Sequence, residues 1–221
     1  AMDPQQRLLM ESGYEAFHAA GFSKSSLAGT LSGIFVGIAL NDFSHIVAAN
    51  AAAARSVYAA TGASLSIASG RLSFVLGLQG PCVSYDTACS AALAANHAAL
   101  RALQLNECSS GLVSGVFLML LPSVGVTFAT AGMTSAGGHS HTFDKRADGY
   151  ARGEATVSMA LNATDEESHY ALLGSCVRQD GKSASLTAPN GQAQGGLLRA
   201  ALADAAVRPR EVSFLETHGT G

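Results

Sequence analysis

A chain of 221 residues can bury a core of its own in one large or two small domains. Hydrophobic residues make up 48% of it and charged residues only 13%, against about 25% in an ordinary soluble domain, so much of its surface is expected to be covered by a partner subunit or by more of the same protein. A net charge of −3 without any Lys/Arg cluster argues against a nucleic-acid footprint, and the longest apolar stretch, Leu112 to Leu121, is interrupted by Ser114 and Gly115 and falls short of the roughly 20 residues of a membrane span.

The elements read as follows in chain order. Asp3-Pro4, then Leu9, Gly13, Phe17 and Gly21, predict a capped helix with proline in its first turn. The opening residues lack the apolar core of a signal peptide. Gly33 to Ile38 is a short apolar run that suits a strand buried on both faces. An alanine-rich helix is predicted from Ile46 to Tyr58, a second buried strand from Pro81 to Thr87, and another alanine-rich helix from Cys89. Further strands are expected at Leu112 to Phe117, around Val157 to Leu161, at Tyr170 to Val177 and at Val212 to Thr217. Leu197, Leu198, Ala201, Leu202 and Ala205 mark a helix between the last two. Alternating strands and helices predict an α/β protein with a largely parallel sheet. The most polar segment, Thr164 to Ser168, is the expected boundary between a half at 1–164 and the start of a second half at 165–221.

Four cysteines are present, Cys82, Cys89, Cys108 and Cys176, with no Cys-x-x-Cys pair. Neither a disulfide framework nor a zinc knuckle is expected, so the reading is of a cytoplasmic or other reducing compartment. Cys89 stands apart because of its setting, Val83-Ser84-Tyr85-Asp86-Thr87-Ala88-Cys89-Ser90-Ala91-Ala92. An apolar strand runs through a turn rich in cap residues into a helix of small side chains. That places Cys89 near the first helical turn, where backbone N–H groups are unpaired and the dipole is positive. The dipole favours a thiolate by about 0.3–2 kcal/mol, and the same N–H groups can bind an oxyanion. Taken alone, these residues leave open a buried, inert cysteine, the commoner fate of this residue type. The other three cysteines lack such a context and read as structural.

Asp86-Thr87-Ala88-Cys89-Ser90 resembles the active-site motif of β-ketoacyl synthases, in particular the ketosynthase domains of modular polyketide synthases. Met2 to Arg7, Gly132-Met133, Thr142-Phe143-Asp144, Ala147 to Tyr150, Arg152-Gly153-Glu154, Gln179-Asp180-Gly181, Leu186 to Gly191 and Glu216 to Gly221 follow the family's motifs in order. The resemblance implies a thiolase-like fold, layered α-β-α-β-α, present here as most of the N-terminal half and the start of the C-terminal half. It implies acyl transfer to Cys89 from an acyl carrier protein, then decarboxylative Claisen condensation with a malonyl-type extender. His218 matches the first of two histidines that hold the extender's thioester carbonyl. Thr220 matches a contact to the phosphopantetheine arm, and Phe128 an aromatic of the acyl pocket. The domain itself is expected to bind no cofactor and no metal; its substrates ride on the phosphopantetheine of the carrier protein. A homodimer and other synthase domains are the implied partners.

The second histidine, its lysine and the glycine-rich oxyanion loop are not among these residues, so the 221 residues alone are expected to be inactive. The sequence also departs from the family at Ser90-Ala91, where Ser-Ser is usual, and at Arg178, where Asn is usual. A fatty-acid ketosynthase uses the same chemistry. A degradative thiolase would need a second late cysteine, and a silent carrier-binding or dimerisation fragment would have no reason to keep both Cys89 and His218. Two other groups have plainer readings. His139-Ser140-His141 lies in a glycine-rich loop without an obvious third metal ligand. Asp144, Asp148, Arg152 and Glu154 are expected to form a structural ion network around the Asp148-Gly149 turn.

Overall fold

The computed structural model describes residues 2–163, 170–186 and 188–220. Helices α1 (Pro4–Ala19) and α2 (Lys24–Leu27) lead into strand β1 (Ser32–Ile38). Helices α3 (Asp42–Ala49), α4 (Ala51–Ala54), α5 (Ala59–Ala63) and α6 (Ser66–Leu76) precede β2 (Cys82–Tyr85). Then come α7 (Ala91–Gln104), β3 (Ser110–Phe117), α8 (Pro122–Thr130), β4 (Ala155–Asn162) and α9 (Gly191–Asp204), with a 3₁₀ turn at Pro209–Glu211.

The four strands form one sheet in the order β2-β1-β3-β4. β1 runs parallel to β2 and β3, while β3 and β4 are antiparallel, with Phe117 opposite Ala155. The expected largely parallel sheet is therefore present. β1 is buried at every position, and its period of two sends Ile34, Val36 and Ile38 into one core and Phe35 into the other. The first core is closed by Leu9 and Phe17 of α1 and by Ala68, Leu72 and Leu76 of α6. The second is closed by α7 through Ala95, Ala99 and Ala102, whose spacing puts them on one face.

Asp3 caps α1, its carboxylate accepting from the Gln5 N–H at 2.8 Å, with proline at the first helical positions. Burial pushes the Asp3 carboxyl above its usual range, against the hydrogen bonds from Gln5. The helix predicted from Ile46 to Tyr58 is broken in two at Asn50. The Asn50 side chain accepts from Ala52 and Ala53 N–H at 3.1 and 3.0 Å, so it starts α4 instead of continuing α3. β2 was expected to be buried, yet Cys82 and Val83 are exposed, because β2 is the edge of the sheet.

The segments Tyr170–Val177 and Val212–Thr217 form no strand. Both carry apolar residues, such as Leu172, Val177, Val212 and Phe214, but neither pairs with a strand of the sheet, and a ladder needs a neighbour. The first is tied to α7 instead. Ser175 meets His97 Nδ1 at 2.8 Å, its carbonyl accepts from Arg101 at 2.9 Å, and its N–H donates to Asp204 at 2.8 Å. Arg101 and Asp204 close the group as an ion pair at 2.7 Å. The Ser175 N–H and then the Arg101 guanidinium hold the Asp204 carboxyl below its usual range. The proposed boundary at Thr164–Ser168 and His169 lie outside the described residues.

Candidate active site

The chain from β2 to α7 builds the environment of Cys89. Ala88 adopts φ 55°, a left-handed conformation that is uncommon for a residue with a side chain. The bend is stitched by Asp86, whose carboxylate accepts from the Ala88 N–H at 3.0 Å, and by Thr87 and Ser90, whose hydroxyls meet at 2.8 Å. Cys89 follows at once, exposed and free. It therefore stands in the turn, one residue before the cap Ser90 and so near the first helical turn, as the sequence suggested. Ser90 makes no side-chain cap bond to α7. The positive helix end is thus left open beside the cysteine, able to stabilise a thiolate or an oxyanion.

The helix reaches this position because two strands carry no side chain beneath it. A Cβ on Gly37 would run into the backbone N and Cα of Ala92 and stand 2.6 Å from the Ala91 carbonyl carbon. Gly115, paired with Gly37 across β1 and β3, lies under the Ala92 methyl. The small side chains of Ala91 and Ala92 let the helix approach the strands this closely. We expect Gly37→Ala to destabilise the protein by about 3 kcal/mol, the upper range for overpacking, since backbone must move. Urea unfolding checks this, and an unchanged midpoint would show that α7 does not rest on Gly37.

Parallel strands all end on one side, which is where α/β proteins place their sites. Cys89 follows the end of β2, and α8 with Phe128 follows the end of β3. Arg152 and Glu154 precede β4 at that same end, since Ala155 pairs with Phe117. The topology thus gathers Cys89, Phe128 and Arg152 on one side of the sheet. His218 and Thr220 are exposed and lie past the 3₁₀ turn. Between them, the Gly219 carbonyl accepts from Thr142 Oγ1 at 2.6 Å, fastening the segment to the connection between α8 and β4. Among the described residues no hydrogen bond joins Cys89 to Phe128, His218 or Thr220.

The four charged residues expected to form one network do not. Asp144 pairs with Arg146 at 2.9 Å, and that guanidinium holds the Asp144 carboxyl below its usual range. Glu154 accepts from the Met119 N–H at 2.6 Å. The Arg152 guanidinium lies over the rings of Phe117 and Phe128 instead. The Asp148-Gly149 turn is held by backbone: Tyr150 N–H donates to Met133 and the Tyr150 carbonyl accepts from Ser135, at 3.2 and 3.1 Å. The histidine pair His139 and His141 has ring centroids 5.8 Å apart, and no group of three metal-binding side chains occurs among the described residues. Burial pushes the Cys108 thiol up, in keeping with a structural role. Cys82 is exposed on β2 rather than packed inside.

The chain thus combines a largely parallel sheet, a left-handed bend after an edge strand and a cysteine just ahead of an alanine-rich helix. The chain matches the family model "Beta-ketoacyl synthase, N-terminal domain" over residues 1–167 and "Beta-ketoacyl synthase, C-terminal domain" over residues 169–221. It belongs to the β-ketoacyl synthase family, enzymes of the acyltransferase class. Similar proteins include a mycocerosic acid synthase-like polyketide synthase of Mycolicibacterium smegmatis, 40% identical over 100% of this chain and 11% of that protein. Another is the polyketide synthase GfsA of Streptomyces halstedii, 42% identical over 100% of this chain and 3% of that protein. Among solved structures, the ketosynthase from module 6 of the bacillaene synthase of Bacillus subtilis 168 superposes with a TM-score of 0.89 at 33% identity, covering 99% of this chain and 38% of that one. The Streptomyces albus oxazolomycin ketosynthase domain OzmH KS7 gives 0.91 at 28% identity, covering 100% and 39%. The chain therefore spans only a small part of these synthases and under two fifths of these two ketosynthases. No described helix is long and apolar enough to cross a membrane.

Proposed function

We propose that Cys89 accepts an acyl group from the phosphopantetheine thioester of an acyl carrier protein during polyketide chain extension. The observation that carries this reading is the bend at Ala88, which leaves Cys89 exposed in front of the uncapped end of α7. The sulfur attacks the thioester carbonyl, the C–S bond to the carrier breaks, and the proton lost by Cys89 ends on the carrier thiol. A malonyl-type thioester then loses CO₂, and the electron pair of the broken C–C bond becomes an enolate. Its carbon attacks the acyl-Cys89 carbonyl, the C–S bond to Cys89 breaks, and the released thiolate takes a proton from solvent, leaving a β-ketoacyl carrier and the free cysteine. His218 donates a hydrogen bond to the enolate oxygen, Thr220 holds the phosphopantetheine arm, and Phe128 lines the acyl pocket. In the whole protein, CO₂ release from malonyl carrier should match β-ketoacyl product one for one and require the acyl donor. Acyl uptake without any product would reduce the function to acyl transfer.

The same reading makes the protein a homodimer among further synthase domains. β2 is a free sheet edge with Val83 39% exposed, and a free edge is a template for another chain. Light scattering of the whole protein at twice the protomer mass would support this, and a monomer at micromolar concentration would sink it.

A further inference from the structure

Arg152 is the charged residue that the chemistry above leaves without a task. Its guanidinium carbon lies 5.1 Å from the Phe128 ring centroid and 5.6 Å from that of Phe117. Among the described residues it makes no ion pair and its buried Nη2 has no hydrogen-bond partner. Two aromatic faces orient this cation among the described residues, and no carboxylate does. Its seat is shaped to fit. Gly125, one helical turn before Phe128, has no side chain to obstruct it, and a Cβ there would stand 3.1 Å from Nη1.

The segment leading to Phe128 is unusually constrained. Four successive N–H groups, of Leu118, Met119, Leu120 and Leu121, donate to side chains and not to other backbone. Gln5 takes the first at 3.1 Å, Glu154 the second at 2.6 Å, and Asp42 the last two at 3.2 and 3.1 Å. With the start of α8 pinned this way, the ring of Phe128 keeps its own torsional freedom unless something rests on it. Arg152 rests on it, from the segment that also supplies Glu154.

We propose that Arg152 is a positioning residue that sets the Phe128 ring and so governs which acyl chains Cys89 accepts. The proposal rests on the reading of Phe128 as an acyl-pocket residue. The test uses the whole protein with acetyl and octanoyl N-acetylcysteamine thioesters, following acylation of Cys89 by mass spectrometry. Phe128→Ala should shift the octanoyl-to-acetyl ratio of specificity about tenfold. Arg152→Met should shift it in the same direction by about threefold or more, through the half-saturating concentration and not the maximal rate. Arg152→Lys, which keeps a cation over the rings, should restore most of the ratio. An unchanged ratio in Phe128→Ala would overturn the acyl-pocket reading and the proposal with it. A shift in Phe128→Ala with an unchanged ratio in folded Arg152→Met would overturn the role of Arg152 alone. Should Arg152→Met fail to fold, Gly125→Ala decides: it crowds Nη1 while favouring helix, and an unchanged ratio in that variant overturns the proposal.

Discussion

Cys89→Ala in the whole protein is expected to lose acyl uptake and condensation together, by a factor on the order of 10⁴ to 10⁶. The size of the effect follows from what the site offers. Asp86, Thr87 and Ser90 carry oxygen close to the bend, but their groups hold the turn together and are poor nucleophiles at neutral pH. Of the other cysteines, Cys108 is buried with its thiol pushed up, and Cys82 and Cys176 stand at no comparable bend. Losing the sulfur therefore removes the covalent step itself and not one contribution to it. The check is mass spectrometry of the protein after incubation with an acyl thioester. A stable adduct that persists in Cys89→Ala would place the nucleophile elsewhere.

His218→Ala should behave differently, and the difference is the diagnostic. If the imidazole donates to the enolate oxygen, it acts only after the acyl group is on Cys89. Acyl-Cys89 should then form at close to the normal rate, while chain extension falls by about 10²-fold or more, the usual cost of one lost donor at a developing oxyanion. The loop is expected to survive the change, since its visible anchor is the Gly219 carbonyl on Thr142 and not the histidine ring. Quantifying acyl-enzyme and extended product from one reaction separates the two steps. Normal extension would remove His218 from the chemistry, and a parallel fall in acylation would assign it to loading instead.

The caps and turns, including the one that carries Cys89, were legible because their signals are local. Asp3-Pro4 reads as a cap, and it is one. Asp86 to Ser90 reads as a turn between strand and helix, and it is one, although no side-chain pattern announces the left-handed Ala88. Helix α6 was missed, though Ala68, Leu72 and Leu76 recur at helical spacing and Gly77 closes it at φ 70°. The charged group at Asp144 to Glu154 was misread for another reason. Charges close in sequence suggest each other as partners, whereas Arg152 and Glu154 find theirs on Phe117, Met119 and Phe128, brought near only by the pairing of β3 with β4. The same logic undid the strands expected near Tyr170 and Val212. Strand propensity belongs to a residue, but a strand belongs to a pair.

The contact between Gly37 and Ala92 bears on how such an enzyme can diversify. Side chains exchange rotamers within nanoseconds, so a distance set by interdigitating side chains carries their fluctuations and shifts whenever one of them is replaced. Here, at the end of α7 next to Cys89, main chain rests on main chain where Gly37 meets Ala91 and Ala92. That contact has no rotamers to sample and does not depend on the side chains of α8. Residues on α8 and before β4 could then change without moving the turn that carries Cys89. If the proposed roles of Cys89 and Phe128 hold, reactivity and selectivity would be separately adjustable, the second through the rings of Phe117 and Phe128 on which Arg152 rests.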